Sequence, residues 1–209
     1  MRVKKLDNFK AWRDEMKRKG LIKNSYPPLA RTKELAELIG VTLGDGHIGL
    51  FPRSECLRIV GNSNNAGFVR RYAHIVQKVF GKQPYVAKRK NANAIDITLY
   101  EKNISKRLGI PTGARSAAKT PTPPWILNNK VFLVAYLRGL YEAEGTYAIH
   151  LSTYTYKFIF SNQNETLLDN VFSGLVRLGF HPHRSLYKIQ ISKKEEVQKL
   201  KNLLQFRSY

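Results

Sequence analysis

An α+β fold made of two copies of one unit is what this sequence predicts. One short pattern occurs twice. Residues 38–46 read LIGVTLGDG and residues 137–145 read LRGLYEAEG. Each is an apolar helical stretch with small residues four apart, closed by a carboxylate and a glycine. The carboxylates, Asp45 and Glu144, stand 99 residues apart in a chain of 209. That is about half the length, which indicates a tandem duplication rather than a short-period solenoid. The same order of elements surrounds each copy: helix, two strands, helix, strands, helix. With 43% hydrophobic and 11% aromatic residues, the chain has enough apolar side chains for a real core.

Residues 1–30 hold nine Lys or Arg against three acids. They form a basic arm with a short helix over 8–18, either a solvated surface helix or a phosphate-contacting one. Thr32 is a helix cap and Glu34 favours the first turn, so a helix runs from there to about Gly44. A hairpin follows through 48–51 and 57–60, then the polar turn Gly61-Asn62-Ser63-Asn64-Asn65. Phe68, Val69, Tyr72, Ile75, Val76 and Val79 recur at helical spacing, and Gly81 stops that helix. Residues 85–87 and 94–99 read as strands and 103–108 as a short helix. The second copy gives a helix over 130–143, strands over 146–151 and 157–160, the polar turn Ser161-Asn162-Gln163-Asn164, and a helix over 165–178 ending at Gly179. A strand over 186–192 and a helix over 194–204 complete it. Residues 58–69 (RIVGNSNNAGFV) lie beside 158–169 (FIFSNQNETLLD) at an offset of 100. Between the copies, residues 109–124 contain Pro111, Pro121, Pro123 and Pro124 and form a stiffened linker. Its Arg115 and Lys119 either contact phosphates or keep it solvated. The expected organisation is an arm (1–30), a first unit (31–108), the linker (109–124) and a second unit (125–209).

Lys and Arg number 36 against 15 acids, a net charge of +21. That imbalance points to nucleic acid as partner. No apolar run reaches the length of a membrane span, and the basic start of the chain lacks an apolar signal core, so a cytoplasmic protein with no membrane partner is expected. The single Cys56 excludes an internal disulfide framework and a cysteine zinc site.

The repeated pattern carries its own chemistry. Gly40 and Gly44, like Gly139 and Ala143, share one helix face, and small residues there allow close backbone approach. If the two helices pair in parallel, Asp45 and Glu144 meet at one end of the seam. Two adjacent carboxylates at helix C-termini repel each other and oppose both helix dipoles. A divalent cation relieves both penalties, and oxygen ligands suit Mg²⁺. Gly46 and Gly145 are expected to give a left-handed exit from each helix.

These residues resemble the LAGLIDADG homing endonucleases in their single-chain, two-motif form, and most of all the archaeal intron-encoded members. The resemblance covers about residues 32–205, including Gly109-Ile110-Pro111-Thr112-Gly113 and Pro124-Trp125-Ile126. Gly44 departs from the motif's Ala and Glu144 from its second Asp, keeping size and charge. The resemblance implies two pseudo-symmetric αββαββα units with antiparallel β-sheet saddles, packed through the pair of motif helices. The saddle would lie along the major groove of a long, near-asymmetric duplex DNA site, bound by a monomer. Asp45 and Glu144, helped by the carbonyls of Gly44 and Ala143, would hold two or three divalent cations. Mg²⁺ is expected, with Mn²⁺ substituting and Ca²⁺ binding without turnover. Hydrolysis of both strands across the minor groove would leave four-nucleotide 3′ overhangs, the reaction of intron homing. Two other readings stay open on the same fold: a maturase that binds its own intron RNA, and a DNA-binding regulator without catalysis. The retained pair of acids favours cleavage.

Secondary residues follow from the same resemblance. Asn62, Ser63, Asn162 and Gln163 are candidates to order water near the acids, although Asn also favours turns, and amides are not general bases. For an assisting lysine, Lys157 and Lys188 are candidates in the second half and Lys88, Arg89 and Lys90 in the first, since none lies between Lys33 and Lys78. Base reading is assigned to strand residues: His47, Arg53, Arg58, Tyr147, His150, Tyr154, Tyr156, Arg184 and Lys188. Strand alternation leaves about half of them facing DNA. His47 and His150 follow their acids by two and six residues, so they are not equivalent and are not assigned as metal ligands.

Overall fold

The computed structural model describes residues 9–21, 23–114 and 119–209, so Arg115 lies outside the described residues. The elements are α1 (Lys10–Arg18), α2 (Lys33–Gly44), β1 (Gly46–Phe51), β2 (Ser54–Asn62), α3 (Ala66–Phe80), β3 (Tyr85–Lys88), β4 (Ala94–Glu101) and α4 (Ile104–Leu108). They continue with α5 (Pro124–Leu127), α6 (Lys130–Glu144), β5 (Gly145–His150), β6 (Thr155–Ser161), α7 (Glu165–Arg177), β7 (His183–Ser185), β8 (Lys188–Ile191) and α8 (Lys194–Leu204). Two four-stranded antiparallel sheets form, ordered β1-β2-β4-β3 and β5-β6-β8-β7. The expected α+β class and the twice-repeated αββαββα order are both present.

Local chemistry explains the helix ends. Thr32 accepts from the Leu35 N–H at 3.2 Å, Asn65 from Phe68 at 3.1 Å and Asn164 from Leu167 at 3.2 Å. Each satisfies an orphan donor of a first turn. Gly81 stops α3 at φ +63°, where other residues are strained. The residue pattern alone showed one strand after α7, because the three residues of β7 are too few to show alternation; the second was implied only by the resemblance.

One sheet face is covered in each unit. Ile48, Leu57, Ile59, Ile97 and Leu99 in one, and Tyr156, Phe158, Phe160, Ile189 and Ile191 in the other, are buried under the helices. The opposite faces are open. The two copies align differently from their sequences. Gly46 pairs with Ile59 and Gly145 with Phe160, an offset of 101 in the second strand. The polar turns, in which Asn62 and Asn162 accept from the Asn64 and Asn164 N–H, keep an offset of 100. The caps Asn65 and Asn164 return to 99. The β5–β6 connection, with a 3₁₀ turn at Leu151–Thr153, is two residues longer than the β1–β2 turn, and the following turns absorb the excess one residue at a time.

Helices α2 and α6 run parallel in contact at the centre. A Cβ on Gly40 would fall on the Tyr136 carbonyl oxygen, one on Gly139 on the Glu37 carbonyl and 2.6 Å from the Val41 nitrogen, and one on Gly44 on the Ala143 Cβ. A buried charge cluster, which the sequence gives no sign of, crosses this seam. Arg71 grips Glu37 with two bonds of 2.6 Å, and the Arg138 Nε lies 3.5 Å from Glu37 and 3.9 Å from Glu142. Glu142 also accepts from the Arg207 N–H at 2.7 Å and from the Tyr209 hydroxyl. Burial pushes its carboxyl above the ordinary range, although the bonds from Tyr209 and Arg207 and the charge of Arg138 oppose this. Removing one member of such a cluster leaves an uncompensated buried charge. Arg138→Met is expected to lower unfolding stability by about 3–5 kcal/mol, read from the urea midpoint at unchanged m.

The linker is tied at both ends. The Gly113 N–H donates to the Ile48 carbonyl of edge strand β1 at 3.0 Å. The Asn170 side chain accepts from the Thr122 N–H at 3.1 Å and donates to the Thr120 carbonyl at 2.9 Å. Helix α1 buries none of its side chains, but the chain after it is pinned by Lys23 to the Phe80 carbonyl and Glu101. No helix among the described residues is long and apolar enough to cross a membrane.

Candidate active site

The parallel seam brings the two acids to the same end. Asp45 caps α2, its N–H bonded to the Val41 and Thr42 carbonyls, and Glu144 is the last residue of α6. The Glu144 Cγ lies 3.4 Å from where a Cβ on Gly44 would stand, so the second carboxylate starts against the end of the first helix. Neither following glycine leaves by a left-handed turn, as expected above: Gly145 has φ −83°, and Gly46 is not among the glycines of positive φ. The reason for glycine is space. A Cβ on Gly46 would meet the Thr42 Cα at 2.6 Å and its carbonyl oxygen at 2.8 Å, and one on Gly145 would fall on the Tyr141 carbonyl. Each first strand turns back so tightly over its helix that only hydrogen fits.

A cavity of about 540 Å³ opens beside Glu144. Gly44, Thr120, Asn162, Gln163, Tyr187 and Lys188 line it together with Glu144. The Asn162 Nδ2 donates to the Glu144 Oε1 at 3.3 Å. Of the polar-turn candidates, Asn162 and Gln163 therefore share this cavity. Asn62 and Ser63 do not line it; the Asn62 amide oxygen accepts from Asn64, and the Ser63 N–H donates to the Asn93 carbonyl. Thr120 was missed because it comes from a linker without periodic pattern, and Tyr187 because it lies in the β7–β8 turn rather than in the strand expected over 186–192.

The donor set decides which metal fits. Among the described residues no group of three or more His, Cys, Asp or Glu gathers at one place. What the seam offers is two carboxylates beside the negative ends of two helices. Sparse, all-oxygen ligation suits a hydrated hard cation such as Mg²⁺ and not zinc.

The open faces sort the remaining candidates. His47 and Arg58 lie on the open face of the first sheet, opposite each other. His150, Lys157 and Lys188 lie on that of the second, opposite Thr155, Ala148 and Ser161. Tyr147 and Tyr156 are corrected to the covered face: Tyr147 packs edge-on against Phe158, and Tyr156 is 8% exposed. Arg184 is opposite Ile189 and bound to Asp169 of α7, on the helix side. Lys88 is opposite Ile95, in the covered-face register of Ile97. Arg89 grips Asp96 with both prongs at 2.7–3.1 Å, and this pairing holds the Asp96 carboxyl below its usual range. Arg53 and Tyr154 sit in the two hairpin turns, and Lys90 and Lys119 are exposed in loops. The two-residue difference in hairpin length leaves the alternation of faces unchanged, so Tyr156 shares the covered face of Phe158 and Phe160, and Tyr147, opposite Phe158, shares it too.

No protein-family model matches this chain, and no curated protein does. Solved structures do. A mesophilic variant of the homing endonuclease I-DmoI aligns over 82% of this chain and 94% of its own, at 17% identity and a TM-score of 0.55. The N-terminal LAGLIDADG domain of DUF199/WhiA aligns over 86% of each chain, at 17% identity and 0.55. The LAGLIDADG meganuclease I-AabMI bound to uncleaved DNA aligns over 82% of this chain and 83% of its own, at 12% identity and 0.52. The chain therefore has the two-unit LAGLIDADG fold.

Proposed function

We propose that this protein is a site-specific, divalent-metal-dependent DNA endonuclease of the homing type, acting in the cytoplasm as a monomer. The observation that carries the reading is the pair Asp45 and Glu144 at adjacent C-terminal ends of parallel seam helices, in a chain of net charge +21. A binding module gains nothing from two acids placed against two helix dipoles. A cation bound there turns that liability into a site. Support comes also from the fold neighbour I-DmoI, which has been solved in complex with DNA and Mn, with DNA and Ca, and, as a variant, with target DNA and Mg.

Asp45 and Glu144, with the carbonyls of Gly44 and Ala143, would hold the cations, Mg²⁺ in preference. Bound metal supplies an activated water and stabilises the charge on the phosphate and the leaving oxygen. The protein's own residues do the rest. Asn162 fixes the Glu144 carboxylate by donating to its Oε1. Lys188 brings a positive charge to the same cavity. The packed seam keeps the two acids side by side, and the open sheet faces hold the duplex across them. In this reading one acid serves each strand, and both strands are cut with four-nucleotide 3′ overhangs. An intron-encoded origin and binding of intron RNA belong to the same proposal as its accompanying roles.

The test is a selection on randomised duplex DNA with Mg²⁺ or with EDTA, followed by sequencing of the cut ends. Recovered ends sharing one long sequence, only with Mg²⁺, support the endonuclease. Duplex retained without cutting under all metals points instead to a regulator, and retention of intron RNA alone to a maturase. Asn162→Ala is expected to slow cleavage by about 10–100-fold, the usual cost of losing a partner that orients a metal ligand. The measurement is single-turnover cleavage across a Mg²⁺ titration, in which added metal recovers part of the loss.

A further inference from the structure

We infer that the DNA site is asymmetric at one pair of pseudo-symmetric positions, where Arg58 reads a guanine in one half-site and Ile159 with Gln190 reads a T·A pair in the other. The inference rests on the DNA-binding reading above. Gly46 and Gly145, each following its acid, pair with Ile59 and Phe160. One residue outward, the open faces carry structurally equivalent rows. In the first sheet the row contains His47, Arg58 and Thr98. In the second it contains Thr146, Ile159 and Gln190.

The chemistry of the two rows differs. The Arg58 Nε is buried and has no hydrogen-bond partner. The nearby carboxylate on its face, Asp96, is already gripped by Arg89. A cavity of about 380 Å³, lined by His47, Phe51, Cys56, Thr112, Gly113 and Arg58 itself, opens at this point. With its Nε buried, the guanidinium is held on a central strand, and its two terminal nitrogens match the O6 and N7 acceptors of guanine in the major groove. Ile159 offers no polar atom, and a half-exposed aliphatic side chain fits the thymine methyl. Beside it, Gln190 donates to the Ser192 hydroxyl at 2.5 Å. That bond steadies the amide while its second N–H and its carbonyl remain for adenine N7 and N6.

The experiment is a binding selection on randomised duplex DNA, with Ca²⁺ as the metal, using the full chain and the variants Arg58→Ile, Arg58→Lys and Ile159→Arg. Thermal melts confirm that each is folded. Wild type should enrich a guanine at one position of one half-site and A·T at the related position of the other. Arg58→Ile should lose the guanine preference there by about tenfold or more while leaving the other half-site unchanged. Arg58→Lys, which keeps the charge but not the fork, should also lose it. Ile159→Arg should gain a guanine at the related position. A base profile unchanged in both Arg58 variants, with affinity lowered uniformly across sequences, marks Arg58 as a phosphate contact and overturns the inference while the DNA reading stands. Failure of wild type to enrich any duplex overturns the DNA reading and this inference with it.

Discussion

Asp45→Asn and Glu144→Gln each abolish metal-dependent cleavage of at least one strand and leave duplex binding in place. The expected loss is about a thousandfold or more in single-turnover rate, the scale seen when one preorganised electrostatic contact to the reacting centre is removed, with metal binding lost besides. Stability should move the other way. Each acid ends a helix whose C-terminus is negative, so neutralising it relieves up to about 1 kcal/mol of unfavourable dipole interaction, against which stands the weakened bond from Asn162 in Glu144→Gln. A variant that is inactive yet melts no lower than wild type separates a chemical role from a structural one. Strand-labelled duplex gives the readout. Unimpaired double-strand cleavage by either variant removes the acids from the reaction.

Gly40→Leu should be the most damaging substitution to the fold. The atom that a Cβ meets is the Tyr136 carbonyl oxygen of the facing helix, which cannot rotate away as a side chain can. Helices α2 and α6 must separate, and overpacking at such a contact costs at least the upper end of the usual range, about 3 kcal/mol. In a chain of this size that lowers Tm by about 6–12 °C. Gly139→Leu should behave alike, since its Cβ meets the Glu37 carbonyl and the Val41 nitrogen. Gly49→Ala is the control, because its nearest neighbours stand at 3.5 Å or more. Seam separation also draws Asp45 from Glu144, so residual folded protein should cut slowly. An unchanged Tm for Gly40→Leu contradicts the close-packed seam.

Much of this was legible because local signals agreed with the fold. Thr32 and Gly81 mark helix ends by side-chain or backbone chemistry that needs no tertiary knowledge, whereas Asn65 and Asn164, read only as parts of polar turns, prove to cap α3 and α7. The paired small residues and the acid that follows them were readable because the pattern occurs twice in one frame. What depended on non-local contacts was not readable. Glu37 and Arg138 each interrupt an apolar helix, but their pairing appears only when two segments about a hundred residues apart are packed together. Gly46 and Gly145 suggested a left-handed turn, whereas the strand's approach to its own helix decides the residue. The face taken by Tyr147 and Arg184 depends on hairpin register, and one step of register exchanges the two faces. The alignment of Arg58 with Ile159 likewise emerges only from pairing, since the sequences alone set Arg58 beside Phe158.

The most direct measurement is cleavage of the selected duplex, both strands labelled, by wild type and by Asp45→Asn/Glu144→Gln in Mg²⁺, Ca²⁺ and EDTA. The expected result is two cuts offset by four nucleotides with 3′ overhangs in Mg²⁺, for wild type only, with the duplex bound but intact in Ca²⁺. Cleavage that persists in EDTA, or in the double variant with Mg²⁺, contradicts a metal-dependent centre at the seam. Tight binding with no product under any metal contradicts the nuclease itself.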